Sequence, residues 1–235
     1  GALVVSALMI SLPADAAAIP AFARKYRVSC NLCHNPFPAL TAFGEQFAGN
    51  GFRMAIDEEP KDTIATGDDL LTLPANVPLA LRLDAYAQLY ADGKAATDFQ
   101  LPFNLKLLSG GTLGKKLSYY IYFLLAERGE VAGIEDAFIY WNDIAGAPVD
   151  LAVGQFQVSD PIFKRELRLE VLDYAIYKVL VGLQPANLTY DRGLMASADL
   201  AGFTLTATLV NGDGIPAANE LFRYDNDANK NLFGH

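Results

Sequence analysis

The run Cys30-Asn31-Leu32-Cys33-His34 holds the residues of this chain best suited to chemistry. Two thiols three positions apart can add to the vinyl groups of a haem, and the histidine next to them can ligate its iron from the proximal side. With only 2 cysteines and 2 histidines in 235 residues, chance would supply roughly 10⁻⁴ such matches. Both cysteines are used, so no thiol is left for a disulfide elsewhere. Two other readings compete. A dithiol redox site belongs to a βαβ pattern, which is lacking here. A zinc site needs a fourth ligand, and the only other histidine, His235, ends the sequence. The motif therefore predicts one covalently attached haem c, held by Cys30 and Cys33, with His34 as proximal ligand.

The sixth position on the iron is open. Met54 lies shortly after the motif, and a methionine opposite the histidine would raise the potential. Packing is the competing role for such a residue. Met195, in a strand pattern, and His235 are poorer candidates, and a five-coordinate or water-ligated iron is a further alternative. No Ser/His/Asp set, phosphate loop or acidic metal cluster stands out. The defensible chemistry is one-electron transfer.

Short elements must position this motif. Ala21 to Arg27 predicts one helix. Leu40 to Ala48 predicts a second, with Leu40, Phe43 and Phe47 at helical spacing and Asn50-Gly51 as its stop. Residues 19–56 thus form a haem-binding unit below the usual size for independent stability. Phe22, Tyr26, Phe37, Leu40, Phe43 and Phe47 are available to cover the haem, to pack against the second domain, or to do both. Before this unit, Leu3 to Leu12 is apolar, too short to span a bilayer as a helix, and succeeded by two A-x-A patterns. Residues 1–18 read as the remnant of a secretory signal peptide, with a mature start near Ile19. Residues 57–77 read as a linker whose six acidic residues are either a solvated connection or an attraction for a cation.

From residue 78 the period becomes 2. Leu79, Leu81, Leu83, Ala85, Ala87 and Leu89 alternate with Arg82, Asp84, Tyr86, Gln88 and Tyr90, and Phe203 to Leu209 repeats the pattern. Weaker strands are predicted at 98–109, 115–126, 133–141, 148–158 and 187–198. Several have the 9–11 residues that a tilted strand needs to cross a bilayer. Tyr119-Tyr120 and Tyr140-Trp141 suit an aromatic girdle. Short connections near 109–114, 142–147 and 199–202 contrast with long ones at 159–186 and 211–229, a habit of outer-membrane barrels. The 159–186 connection carries Leu169, Leu172, Ile176, Val179 and Leu183 at the spacing of an amphipathic helix, suited to plug a lumen or to lie over the loops. Leu232-Phe233 reads as the start of a further strand at a cut end. The fold class predicted is mainly β: a small α-helical c-type haem domain and then a truncated antiparallel outer-membrane β-barrel over 78–235. A soluble β-sandwich is the rival architecture.

Hydrophobic residues make up 52%, yet no apolar run reaches the length of a membrane helix. The net charge of −9 with no basic cluster argues against nucleic acid as a partner.

Ile19-Pro20-Ala21-Phe22-Ala23-Arg24-Lys25-Tyr26, the Ser29-Cys30-x-x-Cys33-His34 run, Phe37-Pro38-x-Leu40 and Phe43-Gly44-x-x-Phe47-x-x-Asn50-Gly51-Phe52 form an ordered set. It resembles the outer-membrane monohaem cytochrome–porin fusions, including iron-oxidising members. Asp150 to Phe156, Asp191-Arg192-Gly193 and Val210 to Gly214 resemble O/P-type porins. The resemblance implies electron transfer across or at the outer membrane of a Gram-negative bacterium, with the haem domain on the periplasmic side or in the barrel lumen. It implies periplasmic electron carriers and outer-membrane lipid as partners, and extracellular Fe(II) as a donor for a ferrous-iron oxidase. The alternatives are an outer-membrane porin whose haem is structural or sensory, and a soluble periplasmic cytochrome.

Overall fold

The computed structural model describes residues 20–35, 39–55, 58, 63–68, 72–90, 96–159, 175, 188–212, 214, 225 and 228–235. The signal-peptide reading of 1–18 and the amphipathic helix expected within 159–186 lie outside them, as do Phe37 and Pro38.

The fold is mainly β. Two short helices come first, α1 (Ala21–Tyr26) and α2 (Ala42–Gly49), with a single 3-10 turn at Cys30–Leu32 between them. Two three-residue strands, β1 (Thr63–Ala65) and β2 (Thr72–Pro74), then pair as an exposed antiparallel ladder inside the segment expected to be a plain linker. The rest is one antiparallel sheet of eight strands in sequence order. These are β3 (Leu79–Tyr90), β4 (Ala96–Thr112), β5 (Leu117–Glu127), β6 (Gly133–Trp141), β7 (Asp150–Gln157), β8 (Tyr190–Leu200), β9 (Phe203–Val210) and β10 (Asn231–Gly234). Every strand read from the period-2 pattern is present. β4 is longer than expected, because Gly110, Gly111 and Thr112 still pair with Tyr120, Tyr119 and Ser118.

The sheet is not closed into a barrel. β3 and β10 are its outer strands, and neither pairs with the other. A period-2 pattern dictates which face each side chain takes but not whether the first and last strands meet. Closure is a property of strand number and stagger.

The two faces divide in an unusual sense. On one face lie Leu79, Leu81, Leu83, Phe99, Ile121, Ile139, Val153, Leu194, Leu205 and Leu209, all exposed; Leu81 is 47% exposed and Phe99 78%. On the other lie Asn104, Lys106, Ser118, Asp136, Thr206 and Thr208, all buried; Lys106 is 3% exposed and Thr208 0%. The ladder registers keep these sets apart: Thr208 faces Met195, which faces Ala152, which faces Tyr140, which faces Ser118. Polar side chains are thus buried and apolar ones exposed, the reverse of a sheet packed in water.

The covered face also carries the aromatic core. Tyr140, Ala152, Phe156, Val158, Met195 and Val210 form one cluster. Phe47, Ala48, Phe52, Tyr120 and Tyr122 form another, with Phe22, Tyr26 and Phe43 packed against it. The second cluster joins the described helices to the sheet. A unit of this size cannot bury its own aromatics, and the sheet buries them instead.

Candidate functional site

The motif is held between the two helices by backbone geometry. α1 ends at Arg27, whose left-handed conformation turns the chain, and the Val28 amide donates to the Ala23 carbonyl at 3.1 Å. The Ser29 hydroxyl then accepts from the Asn31 amide at 3.4 Å and caps the 3-10 turn. Within that turn the Cys33 and His34 amides both donate to the Cys30 carbonyl, at 3.2 and 3.0 Å. Residues three apart in a 3-10 turn eclipse one another, so Cys30 and Cys33 project from one side. Both are free thiols, Cys30 exposed and Cys33 half-buried. Burial, and then the neighbouring Cys30, push the Cys33 thiol up from its ordinary value.

α2 is fastened to the motif by Thr41. Its hydroxyl accepts from the Gly44 amide at 3.1 Å as the helix N-cap and donates to the Leu32 carbonyl at 2.7 Å. Its amide donates to the Cys33 carbonyl at 2.9 Å, and His34 bridges to Leu40 as a short antiparallel pair. The approach is close enough that a Cβ on Gly44 would overlap the Cys33 carbonyl oxygen.

The donor set fits a haem c. Two unpaired thiols on one face of a rigid turn, with an imidazole directly after them, are the three groups that thioether attachment and proximal ligation require. Leu32 and Met54 leave apolar side chains exposed on the same helical unit. Among the described residues no group of three or more His, Cys, Asp or Glu side chains could hold a bare metal ion.

The aromatics expected to cover a haem are largely committed elsewhere. Phe22 stacks on Phe52 at 5.5 Å between centroids, Phe52 stacks on Tyr120 at 4.4 Å, and Phe47 meets Phe22 and Tyr26 edge-on. These contacts pack the aromatics against the sheet.

Met54 lies on the segment after α2, and this segment is tied down by residues that sequence reasoning passed over. Glu58, one of the acidic residues assigned to a solvated linker, is buried. Its carboxylate pairs with the Lys25 ammonium at 2.9 Å and accepts from the Met54 amide at 2.9 Å; the Tyr26 hydroxyl lies 2.9 Å from both its oxygens. Burial alone would push this carboxyl up. The bonds from Lys25, the Met54 amide and Tyr26 outweigh it and hold Glu58 below the usual carboxylate range. Arg53, 0% exposed, donates to the Lys115 carbonyl in the turn between β4 and β5. Burial pushes its guanidinium down, opposed by the nearby Glu58 and Tyr26. The sequence signal for both residues was weak: one charge beside an Asn-Gly-Phe stop and one in an acidic run.

The less suited ligand candidates are placed plainly. Met195 is buried in the apolar cluster of β6–β9. His235 exchanges backbone hydrogen bonds with Thr206 at the edge of β9. Met195 is on β8 and His235 follows β10, neither of them a strand that meets the helical unit.

No protein-family model matches this chain, and no curated protein or solved structure is similar to it. Among the described residues no helix is long and apolar enough to cross a membrane, which leaves strands that cross as barrels untouched.

Proposed function

We propose that this protein is an outer-membrane c-type cytochrome in which one covalent haem serves electron transfer at or across the membrane. Bound haem supplies one-electron exchange at its iron. Cys30 and Cys33 anchor it, His34 ligates the iron from the proximal side, and Met54 is the candidate distal ligand. Extracellular Fe(II) is the candidate donor and a periplasmic carrier the candidate acceptor. The observation that carries this reading is the inverted sheet beneath the motif. Its apolar residues face outward and its polar residues are covered, as in a barrel wall between lipid and a wet lumen. A soluble β-sandwich, the rival architecture, needs the opposite arrangement. Completion of the sheet into a closed barrel belongs to the proposal, because an open sheet edge does not persist in hydrocarbon.

The test is haem staining after denaturing electrophoresis, together with fractionation of the outer membrane. Covalent haem in that fraction is expected, and its absence from a correctly exported protein overturns the reading. Anaerobic addition of Fe(II) to the oxidised protein is then expected to shift the haem absorbance bands to those of the reduced form. The buried polar face with Lys106, Asp136 and Asn104 favours a second reading, a transport pore whose haem is structural or sensory. Failure of the haem bands to respond to any one-electron donor would select that second reading.

A further inference from the structure

The helical unit touches the sheet at one end only, among the contacts described. Phe22 lies against Gly110, at 3.0 Å from where a Cβ would stand. The Arg24 guanidinium donates to the Leu79 carbonyl at 2.7 Å, where β3 begins. Phe52 stacks on Tyr120 near the start of β5, and Gly51 is pressed against Ser118 and Tyr140. Arg53 reaches the Lys115 carbonyl. All of these lie beside connections 113–116 and 142–149, the end that has no long link; the two long links, 158–189 and 211–230, are at the other end, together with the short links 91–95 and 128–132.

The exposed face changes character at the same level. Connection 113–116 carries Lys115 and Lys116, both exposed, with the Lys116 ammonium 3.4 Å from the half-exposed Asp143 carboxylate. The chain's only tryptophan, Trp141, pairs with Leu117 beside them, and its side chain is 47% exposed on the apolar face. Tyr119 is next on that face. From Leu117 to Ala126 β5 contains no charged residue, and charges return at Glu127, Arg128 and Glu130. Ten strand residues extend roughly 34 Å, or roughly 26 Å when tilted by about 40°. That matches the apolar band of about 25 Å in outer-membrane barrels, flanked by aromatic girdles. Lysines placed beyond such a girdle bury their stems and present ammonium groups to headgroup phosphates.

We infer that Lys115, Lys116, Tyr119 and Trp141 form a rim seated among phospholipid headgroups, and that the Cys30–His34 unit is fixed at this same level on the polar face, on the periplasmic side. Short turns lie on that side in barrels of this kind. The inference rests on the membrane reading above and adds where in the bilayer the redox motif stands. An electron from outside would then have to cross nearly the whole apolar band to reach it.

Two experiments on the whole haem-loaded protein test this. In the first, the protein is reconstituted into vesicles of phosphatidylcholine and phosphatidylglycerol, brominated either near the glycerol end or near the methyl end of the acyl chain. Energy transfer to haem lowers both Trp141 signals alike, so their ratio reports depth; Trp141→Phe supplies the blank. Headgroup-proximal bromine is expected to quench at least about twofold more, as for an interfacial tryptophan. Stronger quenching by methyl-end bromine overturns the rim while leaving the membrane reading intact. No quenching by either lipid overturns both, although covalent haem would still stain. In the second, Lys116→Cys is exposed to a membrane-impermeant maleimide in intact cells, with the wild type as control. Labelling only after the outer membrane is permeabilised is expected, and labelling of intact cells overturns the periplasmic placement alone.

Discussion

At the residue scale, the motif depends on side chains that do no chemistry themselves. Gly44 is the sharpest case. Alanine is a better helix former by about 1 kcal/mol, but its Cβ would overlap the Cys33 carbonyl. Overpacking of this kind costs about 1–3 kcal/mol and has to be relieved by moving the backbone that carries Cys33. Gly44→Ala is expected to lower the unfolding midpoint and the yield of covalent haem together; a rise in stability would show that the approach is looser than described. Glu58 makes a pH-dependent contribution. Its carboxyl is held below the ordinary value, so its stabilisation is complete above about pH 4.3 and is lost as pH falls through the lower folded-state value. The unfolding midpoint of the wild type is expected to drop more steeply below about pH 4 than that of Glu58→Gln, and parallel curves would remove this role. The Cys-x-x-Cys-His run was legible from sequence because spacing alone defines it. Glu58 and Arg53 were not, because a charge in a linker and a charge in a clasp look alike until the fold brings Lys25, Tyr26 and Lys115 to them.

At the scale of elements, the strands arise from alternation and the helices from stop signals and caps, yet the closeness of neighbouring strands does not. Gly154 and Gly193 are direct partners in the β7–β8 ladder. Gly154 has a φ of +143°, and a Cβ on Gly193 would overlap the Leu209 carbonyl of β9. A Cβ on Gly154 would overlap the Ala137 carbonyl oxygen and the Phe138 Cα, so the β6 backbone approaches too closely there for any side chain. Gly193→Ala is expected to cost about 1–3 kcal/mol through overlap with the β9 backbone and to raise hydrogen exchange in β8 and β9 before β4 and β5. Uniform loss across all strands would indicate a global effect instead. In sequence both glycines look like ordinary interruptions of a strand pattern.

For the molecule as a whole, the orientation of the faces is decisive. A lysine at the middle of a lipid-facing band costs about 2–4 kcal/mol in a bilayer, and almost nothing near or beyond the interfaces. Ile121 lies mid-band, whereas Val131 lies in the far connection and is 87% exposed. Urea titration of the protein folded into vesicles is expected to show that penalty for Ile121→Lys and almost none for Val131→Lys. Equal, small effects at both sites would place the apolar face in water and remove the membrane reading.

The sequence by itself determined the residues of the motif and the local elements: two thiols and an imidazole within five residues, two short helices, and strands with one apolar and one polar face. These are set by residue type and by periods of 3.6 and 2, which act within a few residues of each other. Only the tertiary structure decided that the polar face is the covered one, that the motif's helices dock on that face at the short-turn end, and that the eight-strand sheet is open. Each of these depends on which distant segments meet. Alternation is identical for a strand facing lipid and a strand facing water until its neighbours show which side they bury.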